Sequence, residues 1–529
     1  MRTLVATEPD EGDADAGDNP PEPPPAPSLP PWITTSVLVG ITALGIVLRF
    51  VSTSKLWLDE ALSANISHLP VGDLLEALKH DGHPPLYYLL LHYWMELFGE
   101  GDVAVRALSG VIGVATLPLA WIAGRRLGGP TAARWALVVV ALSPYCVRYS
   151  SETRMYALVM LLVLAGYLVL SDALRAPTLL RLGGLAVLSG LLLLSHYWSM
   201  WLLGSVGLLL LLRWWRGPAD ERPATVRVIV AIAAGGLLFL PWLPSFLYQA
   251  EHTGTPWAGP MRPPSIPAVM LMDLGGGVNL YEAMLYGFVL LLGCLLALFV
   301  VQARGHEVVL DLRTTPLVRP LLAVTVLTLA VGAITAYPTG ATFQSRYAAV
   351  VVPFVLVATA VGLTLLPGVA RMALGVTLVG LSGLGIAWNN YFERTQAPEL
   401  TAQIEAHSGP GDVVVFCPDQ LGPGFSRDLP DGLQMVSYPS LDDPSRVDWV
   451  DYAERQAAAD PVRIADEVRD LAAGNDVFLV WVDGYETFGD QCQDLRGELA
   501  ETGFAEDLVI SNTERYFEPA YLTRISPTP

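Results

Sequence analysis

The sequence predicts a polytopic α-helical membrane protein that carries a soluble α/β domain after its last span. Three observations predict it. Of 529 residues, 52% are hydrophobic and only 16% charged, too little charge to cover the surface of several water-soluble domains. Apolar runs near the length of a bilayer crossing recur up to residue 391 and then stop. Beyond that point strand-like runs alternate with an amphipathic helical stretch, the pattern of a small α/β domain.

Residues 1–31 combine acids, Gly and Ala with the run Pro20-Pro21-Glu22-Pro23-Pro24-Pro25, which cannot build a core and reads as a disordered cytoplasmic tail. Its acidic start does not suit a secretory signal. Residues 32–391 form the membrane domain. About eleven spans can be read, near 34–51, 104–124, 132–149, 155–171, 181–197, 198–213, 227–248, 281–303, 317–337, 346–366 and 371–391. Arg125, Arg126 and Arg134, Arg175 and Arg181, Arg213 and Arg227, Arg304 and Arg319, and Arg371 fall in alternate loops. The positive-inside rule puts those loops in the cytoplasm, together with the N-terminus of a multi-pass cell-membrane protein. An odd number of spans then leaves 392–529 as a soluble extracytoplasmic α/β domain.

The run 85–98 is too short for a span and carries His92 and Glu96, so it is placed along the outer interface, where Tyr and Trp are favoured. Val71, Leu74, Leu75 and Leu78 follow helical spacing and predict a second interfacial helix before it. The first outer loop, about 52–103, is therefore a long structured element, of the kind that carries function. In the last domain, Val413-Val414-Val415-Phe416 and 477–482 read as strands and 462–473 as a helix. Cys417 and Cys492 lie there, and pair only if the fold brings them together.

The formal charge is −20, distributed as −6 over 1–31, −18 over 397–529 and +4 between them. No basic stripe is present to neutralise phosphates of a nucleic acid, which excludes that partner class.

Four polar features fall on one side of the membrane. The first is Trp57-Leu58-Asp59-Glu60-Ala61 after span one. Taken alone this acid pair also suits a solvated helix cap, but at a water–lipid boundary a carboxylate can take a proton from an attacking hydroxyl. The second is the turn Glu152-Thr153-Arg154-Met155-Tyr156, whose charges face a cavity or each other. Third is His196-Tyr197, between spans five and six. Fourth is Ser345-Arg346-Tyr347, where span ten begins; such an Arg also suits snorkelling to lipid phosphate. Together they set acids, two guanidiniums and an imidazole beside an outer loop, able to hold a phosphate and take a proton.

With the stretch His83-Pro84-Pro85-Leu86-Tyr87-Tyr88, these motifs in this order resemble glycosyltransferase family 39, the protein O-mannosyltransferase-like branch of the GT-C superfamily, related to the aminoarabinose transferases. The resemblance spans roughly 32–391 and implies a GT-C fold. It also implies inverting transfer of a sugar from a polyprenyl-phosphate donor to an acceptor on the extracytoplasmic face, a protein, lipid or glycan. Mannose is the first choice of sugar, with arabinose, aminoarabinose and glucose competing. Carried over by position, Asp59 is the catalytic base. Glu60, His83, Glu152, Arg154, His196, Tyr197, Arg346 and Tyr347 bind substrate, the two arginines and His196 around the donor phosphate. His83 either contacts substrate or braces the loop. No metal and no cofactor beyond the donor are expected. The alternative is a polytopic lipid or sugar transporter or flippase, which internal repeats or mid-bilayer ionisable residues would favour; the sequence shows no repeat, and its polar features gather at the outer edge.

Overall fold

A computed structural model describes residues 31–528 except 260, 278–279, 305–306, 316, 340–341, 431, 485–486, 502 and 514. The tail read from residues 1–31 therefore lies outside the described residues apart from Pro31. Seven described helices are long and apolar enough to cross a membrane, and three shorter apolar helices cover Ile33–Leu48, Leu179–Ser195 and Val352–Thr364. They expose Val230, Leu237, Leu285 and Val326, side chains that a hydrocarbon surrounding accommodates and water does not.

The runs 104–124 and 132–149 belong to one helical element, Asp102–Leu142, broken at Gly128 and Gly129; Gly129 has φ 76°, a left-handed conformation that glycine adopts without penalty. A short helix, Pro144–Ser150, completes the second run, with the Ser143 hydroxyl accepting the Cys146 amide at its start. Span eight ends earlier than the hydropathy suggests. Its helix stops at Phe299, and Val300–Arg304 pairs with Glu307–Leu310 as a hairpin, because Val300-Val301 is β-branched and reads equally as strand. Helices Leu280–Phe299 and Val352–Thr364 pack so closely that a Cβ on Gly362 would stand 1.9 Å from the Gly293 carbonyl, the small-residue contact typical of helices in lipid.

The first outer loop holds three helices, Leu58–His68, Val71–Asp81 and Leu86–Phe98. The last two are helical where two helices were expected. The first places the acid pair inside a helix rather than at its cap. Arg49 ends the first span fully buried and donates to the Gly45, Val140 and Ala141 carbonyls, which ties that span to the broken helix.

After residue 391 a five-stranded sheet runs in the order Gln434–Ser437, Val413–Cys417, Val477–Trp481, Tyr521–Pro527, Phe504–Ile510, its first three strands parallel and the last two antiparallel. Helices Ala397–His407, Pro461–Ala472 and Gln491–Leu499 flank it. Asp460 caps the second by accepting the Val462 and Arg463 amides. Cys417 and Cys492 are bonded, with Cα atoms 5.6 Å apart.

This sheet domain sits on the outer loops. Trp449 N–H donates to the His80 carbonyl (3.0 Å), Asp451 N–H to the His252 carbonyl (2.8 Å) and Asn65 Nδ2 to the Ser445 carbonyl (2.7 Å). A two-stranded parallel pair, Glu393–Thr395 with Tyr516–Glu518, carries Arg394 and Glu518 to the same seam.

Candidate active site

Between the outer helices and the sheet domain lies a cavity of about 680 Å³. Its membrane half is lined by Asp59, His83, Arg154, His196, Tyr197, Arg346 and Tyr347, so seven of the nine residues singled out from the sequence converge there.

Asp59 stands on the first turn of Leu58–His68, where the helix presents successive residues about 100° apart. Its Oδ2 accepts from Arg346 Nη1 at 2.8 Å and lies 3.9 Å from Arg154 Nε, and 14% of the side chain remains exposed. Two guanidiniums thus flank one carboxylate at the cavity wall.

Arg154 is held through both terminal nitrogens, while its Nε has no hydrogen-bond partner among the described residues. Its Nη1 donates to Ser63 Oγ (3.1 Å), Tyr88 Oη (3.2 Å) and the Asp59 carbonyl (3.3 Å), and its Nη2 to His83 Nε2 (2.8 Å). An arginine only donates, so His83 Nε2 accepts, and its proton sits on Nδ1, which donates to Asp81 Oδ2 at 2.8 Å. Tyr88 donates to the same Asp81 oxygen at 2.7 Å. Asp81 therefore orients both the imidazole and the phenol that fix Arg154. His83 lines the cavity and braces the loop at once.

Arg346 is held more loosely. It lies 5.5 Å from the Trp257 ring centre and 6.0 Å from that of Trp57, contacts that stabilise a cation without fixing its fork. Tyr145 donates to the Ser345 and Arg346 carbonyls and anchors the backbone there. His196 caps the Leu179–Ser195 helix, and its Nδ1 accepts the Trp198 amide at 3.1 Å. That leaves the proton of the neutral ring on Nε2, an uncharged donor. Tyr197 donates to Gln249 Oε1 and accepts from Trp242 Nε1. Tyr347 packs between the His196 and Trp198 rings.

Glu60 and Glu152 do not line this cavity. One residue on from Asp59, Glu60 points the other way and is fully buried. It accepts from Arg106 Nε (2.8 Å) and Nη2 (2.6 Å) and the Thr153 amide (3.0 Å), with Arg394 Nη1 also 3.0 Å away. Burial alone would raise its proton affinity, yet Arg106 and Arg394 hold the carboxyl at about 2. It joins the outer helix, the second span, the 151–154 turn and the sheet domain. Glu152 is buried in that turn, 4.0 Å from Arg148, and its Oε1 has no hydrogen-bond partner among the described residues. Burial pushes its carboxyl upward against the pull of Arg394 and Arg148.

The other half of the cavity comes from the sheet domain: Pro418, Gln420, Trp449, Phe517 and Glu518. Glu518 Oε1 accepts the Leu58 amide at 3.2 Å, directly before Asp59. Burial pushes its carboxyl up to about 8, Thr395 and the Leu58 amide opposing and the Asp59 charge adding to the rise. Sequence reasoning found none of these residues, nor Asp81, Arg106 and Arg394. Arg106 carried a signal, a lone cation inside an apolar span, and Asp81 stood two residues before His83; Glu518 and Gln420 carried none.

With that geometry in place, the likeness to known proteins is specific. Residues 82–244 match the family described as dolichyl-phosphate-mannose-protein mannosyltransferase. The fold matches that of ArnT from Cupriavidus metallidurans in two crystal structures. The apo form gives a TM-score of 0.60 at 14% identity, covering 93% of this chain and 98% of that one. The form bound to undecaprenyl phosphate gives 0.58 at 14% identity, with 92% and 98% covered. No curated protein sequence matches the chain. These findings bear out the resemblance to the mannosyltransferase-like branch of the GT-C superfamily, and with it the multi-pass helical membrane fold.

Proposed function

We propose that this chain, a GT-C protein with a mannosyltransferase-like membrane domain, is an inverting glycosyltransferase. It moves a sugar, mannose as first choice, from a polyprenyl-phosphate donor to an acceptor hydroxyl on the extracytoplasmic face. The observation that carries the reading is Asp59, an exposed-edge carboxylate flanked by Arg346 and Arg154 in the wall of the shared cavity. A base and two fixed cations within one site are the requirements for displacing a phosphate with a hydroxyl.

In this mechanism the donor phosphate enters beside Arg346 and competes with Asp59 for its guanidinium, which frees Oδ2. Asp59 takes the proton of the acceptor hydroxyl as its oxygen attacks the anomeric carbon from the face opposite the phosphate. The new carbon–oxygen bond forms while the bond to phosphate breaks, and the electron pair leaves with the polyprenyl phosphate. Arg154, immobile in its cage, and Arg346 take up the developing charge, with neutral His196 as a further donor. The leaving group needs no proton, and the scheme invokes no metal. Two neighbours of the reaction serve from behind the wall: Glu60 by fixing the Asp59 helix, Glu152 by its place in the Arg154 turn.

The test is a panel of labelled polyprenyl-phosphate sugars (mannose, arabinose, aminoarabinose, glucose) offered to the purified protein, reading hydrolysis and transfer. Asp59→Asn is expected to stay folded and bind donor but to lose transfer by about 10²–10⁴-fold. Full activity in that variant removes Asp59 as the base.

A further inference from the structure

Besides Arg154 Nε and Arg346 Nε, three residues that line the cavity on or next to the sheet domain each carry a polar atom with no hydrogen-bond partner among the described residues. These atoms are Trp57 Nε1, Gln420 Oε1 and Glu518 Oε2. Gln420 is 3% exposed and Trp57 7%, so bulk water does not satisfy them. Unpaired buried polar atoms are rare in folded proteins and call for an explanation where they gather in one cavity. Gln420 is held in place by its other amide atom, which donates to Tyr452 Oη at 3.1 Å, itself bonded to Asp419. Glu518 is held by the Leu58 amide, and although the Thr395 hydroxyl lies beside it, no hydrogen bond of normal geometry reaches Oε2.

The chemistry of this set differs from that of the opposite end. An indole N–H only donates, a carboxamide oxygen only accepts, and a carboxyl that keeps its proton, as Glu518 does below about 8, does both. A phosphate wants donors alone, and the Gln420 oxygen, which can only accept, would oppose it. A hydroxyl gives and receives, so several hydroxyls on one frame match a mixed set. The walls between these polar atoms are flat and apolar. Trp449 packs on Tyr452 at 4.9 Å with its ring tilted by 39°, and Phe517, 62% exposed, meets the Trp57 ring edge-on at 5.1 Å. Aromatic faces beside fixed polar groups suit a rigid ring that is apolar on its faces and polar at its rim.

Resting on the glycosyl-transfer reading above, we propose that the sheet domain forms the acceptor half of the site, that the acceptor is a carbohydrate, and that Glu518 and Gln420 hold its ring hydroxyls under Phe517 and Trp449. The acceptor oxygen then lies toward Asp59, which follows the residue whose amide Glu518 binds.

The test uses full-length protein, a labelled polyprenyl-phosphate sugar that it hydrolyses, and two soluble acceptors: methyl α-D-mannopyranoside and a Ser/Thr peptide. The donor-hydrolysis arm reports on the glycosyl-transfer reading; the acceptor arm reports on the carbohydrate site. The wild type is expected to glycosylate the methyl glycoside saturably. Glu518→Gln, which keeps its shape and can still accept the Leu58 amide, is expected to raise the KM for the glycoside at least tenfold and to lower the ratio of transfer to hydrolysis. Phe517→Ala removes a largely exposed ring, at little risk to folding, and is expected to raise the same KM several-fold. Transfer to the peptide but not to the glycoside overturns the proposal, as does an unchanged glycoside KM in both variants.

Discussion

Replacing Glu60 by Gln separates a structural hub from a substrate ligand. The carboxylate is fully buried, receives two hydrogen bonds from Arg106 and one from the Thr153 amide, and sits 3.0 Å from Arg394. Arg106 and Arg394 hold its carboxyl well below the ordinary carboxylate range, so it stays charged. Removing one partner of a buried ion pair costs about 3–5 kcal/mol, because the remaining charge stays buried and unpaired. Here two cations are left behind, so a loss of about 3 kcal/mol is the expected floor. The assay is the heat-denaturation midpoint of purified protein in detergent at one scan rate, since unfolding of such a protein is judged as a rate. A drop of roughly 3–5 °C is expected, with earlier proteolysis near Arg394 as the sheet domain loosens. The sign of the pH dependence follows from the depressed value. Glu60 stabilises fully above the ordinary carboxylate value of 4.5 and loses that contribution progressively as pH falls from there towards about 2, so the gap between wild type and variant is constant from pH 5 to 9. An unchanged midpoint together with weakened donor binding refutes the hub and makes Glu60 a ligand.

The remaining predictions are shorter. Arg346→Lys keeps the charge but loses the planar fork, and is expected to lower kcat/KM for the donor by about 10²-fold, measured by transfer kinetics at several donor concentrations. Glu518, at about 8 in the fold against an ordinary 4.5, keeps its proton between those values while the unfolded chain has lost it. Stability therefore falls as pH rises from 4.5 to 8, and Glu518→Gln is expected to flatten that slope in heat denaturation. The Cys417–Cys492 bond closes a separation of 75 residues, for which loop entropy gives about 4 kcal/mol. The double Ala variant is expected to unfold its sheet domain first, seen as early loss of protease resistance there.

What the sequence disclosed followed the range of each interaction. Spans, interfacial helices and the strands at 413 and 477 rest on local periodicity, and the polar motifs at the outer loop ends were legible because charged groups stand out against apolar runs. The acid pair was half legible. Adjacent residues on a helix diverge by about 100°, so Asp59 and Glu60 could not both face one cavity, yet only the helix starting at Leu58 decides which one does. Arg394 and Glu518 were hidden for a different reason. Their partners stand hundreds of positions away, and nothing local marks a carboxylate in a β-strand as one that will meet the start of an outer-loop helix.

The seam between Leu58 and Glu518 has a consequence for biosynthesis. The two residues are separated by 460 positions, so the ribosome delivers the wall carrying Asp59 long before the roof. A chain whose membrane part has inserted exposes an open trough, and the compartment closes over it only when the last strands pair across the sheet. The order of synthesis thereby delays closure of the cavity until the residues around 516–518 have been made, and a ribosome that stalls before Phe517 leaves a membrane-embedded product without its upper wall.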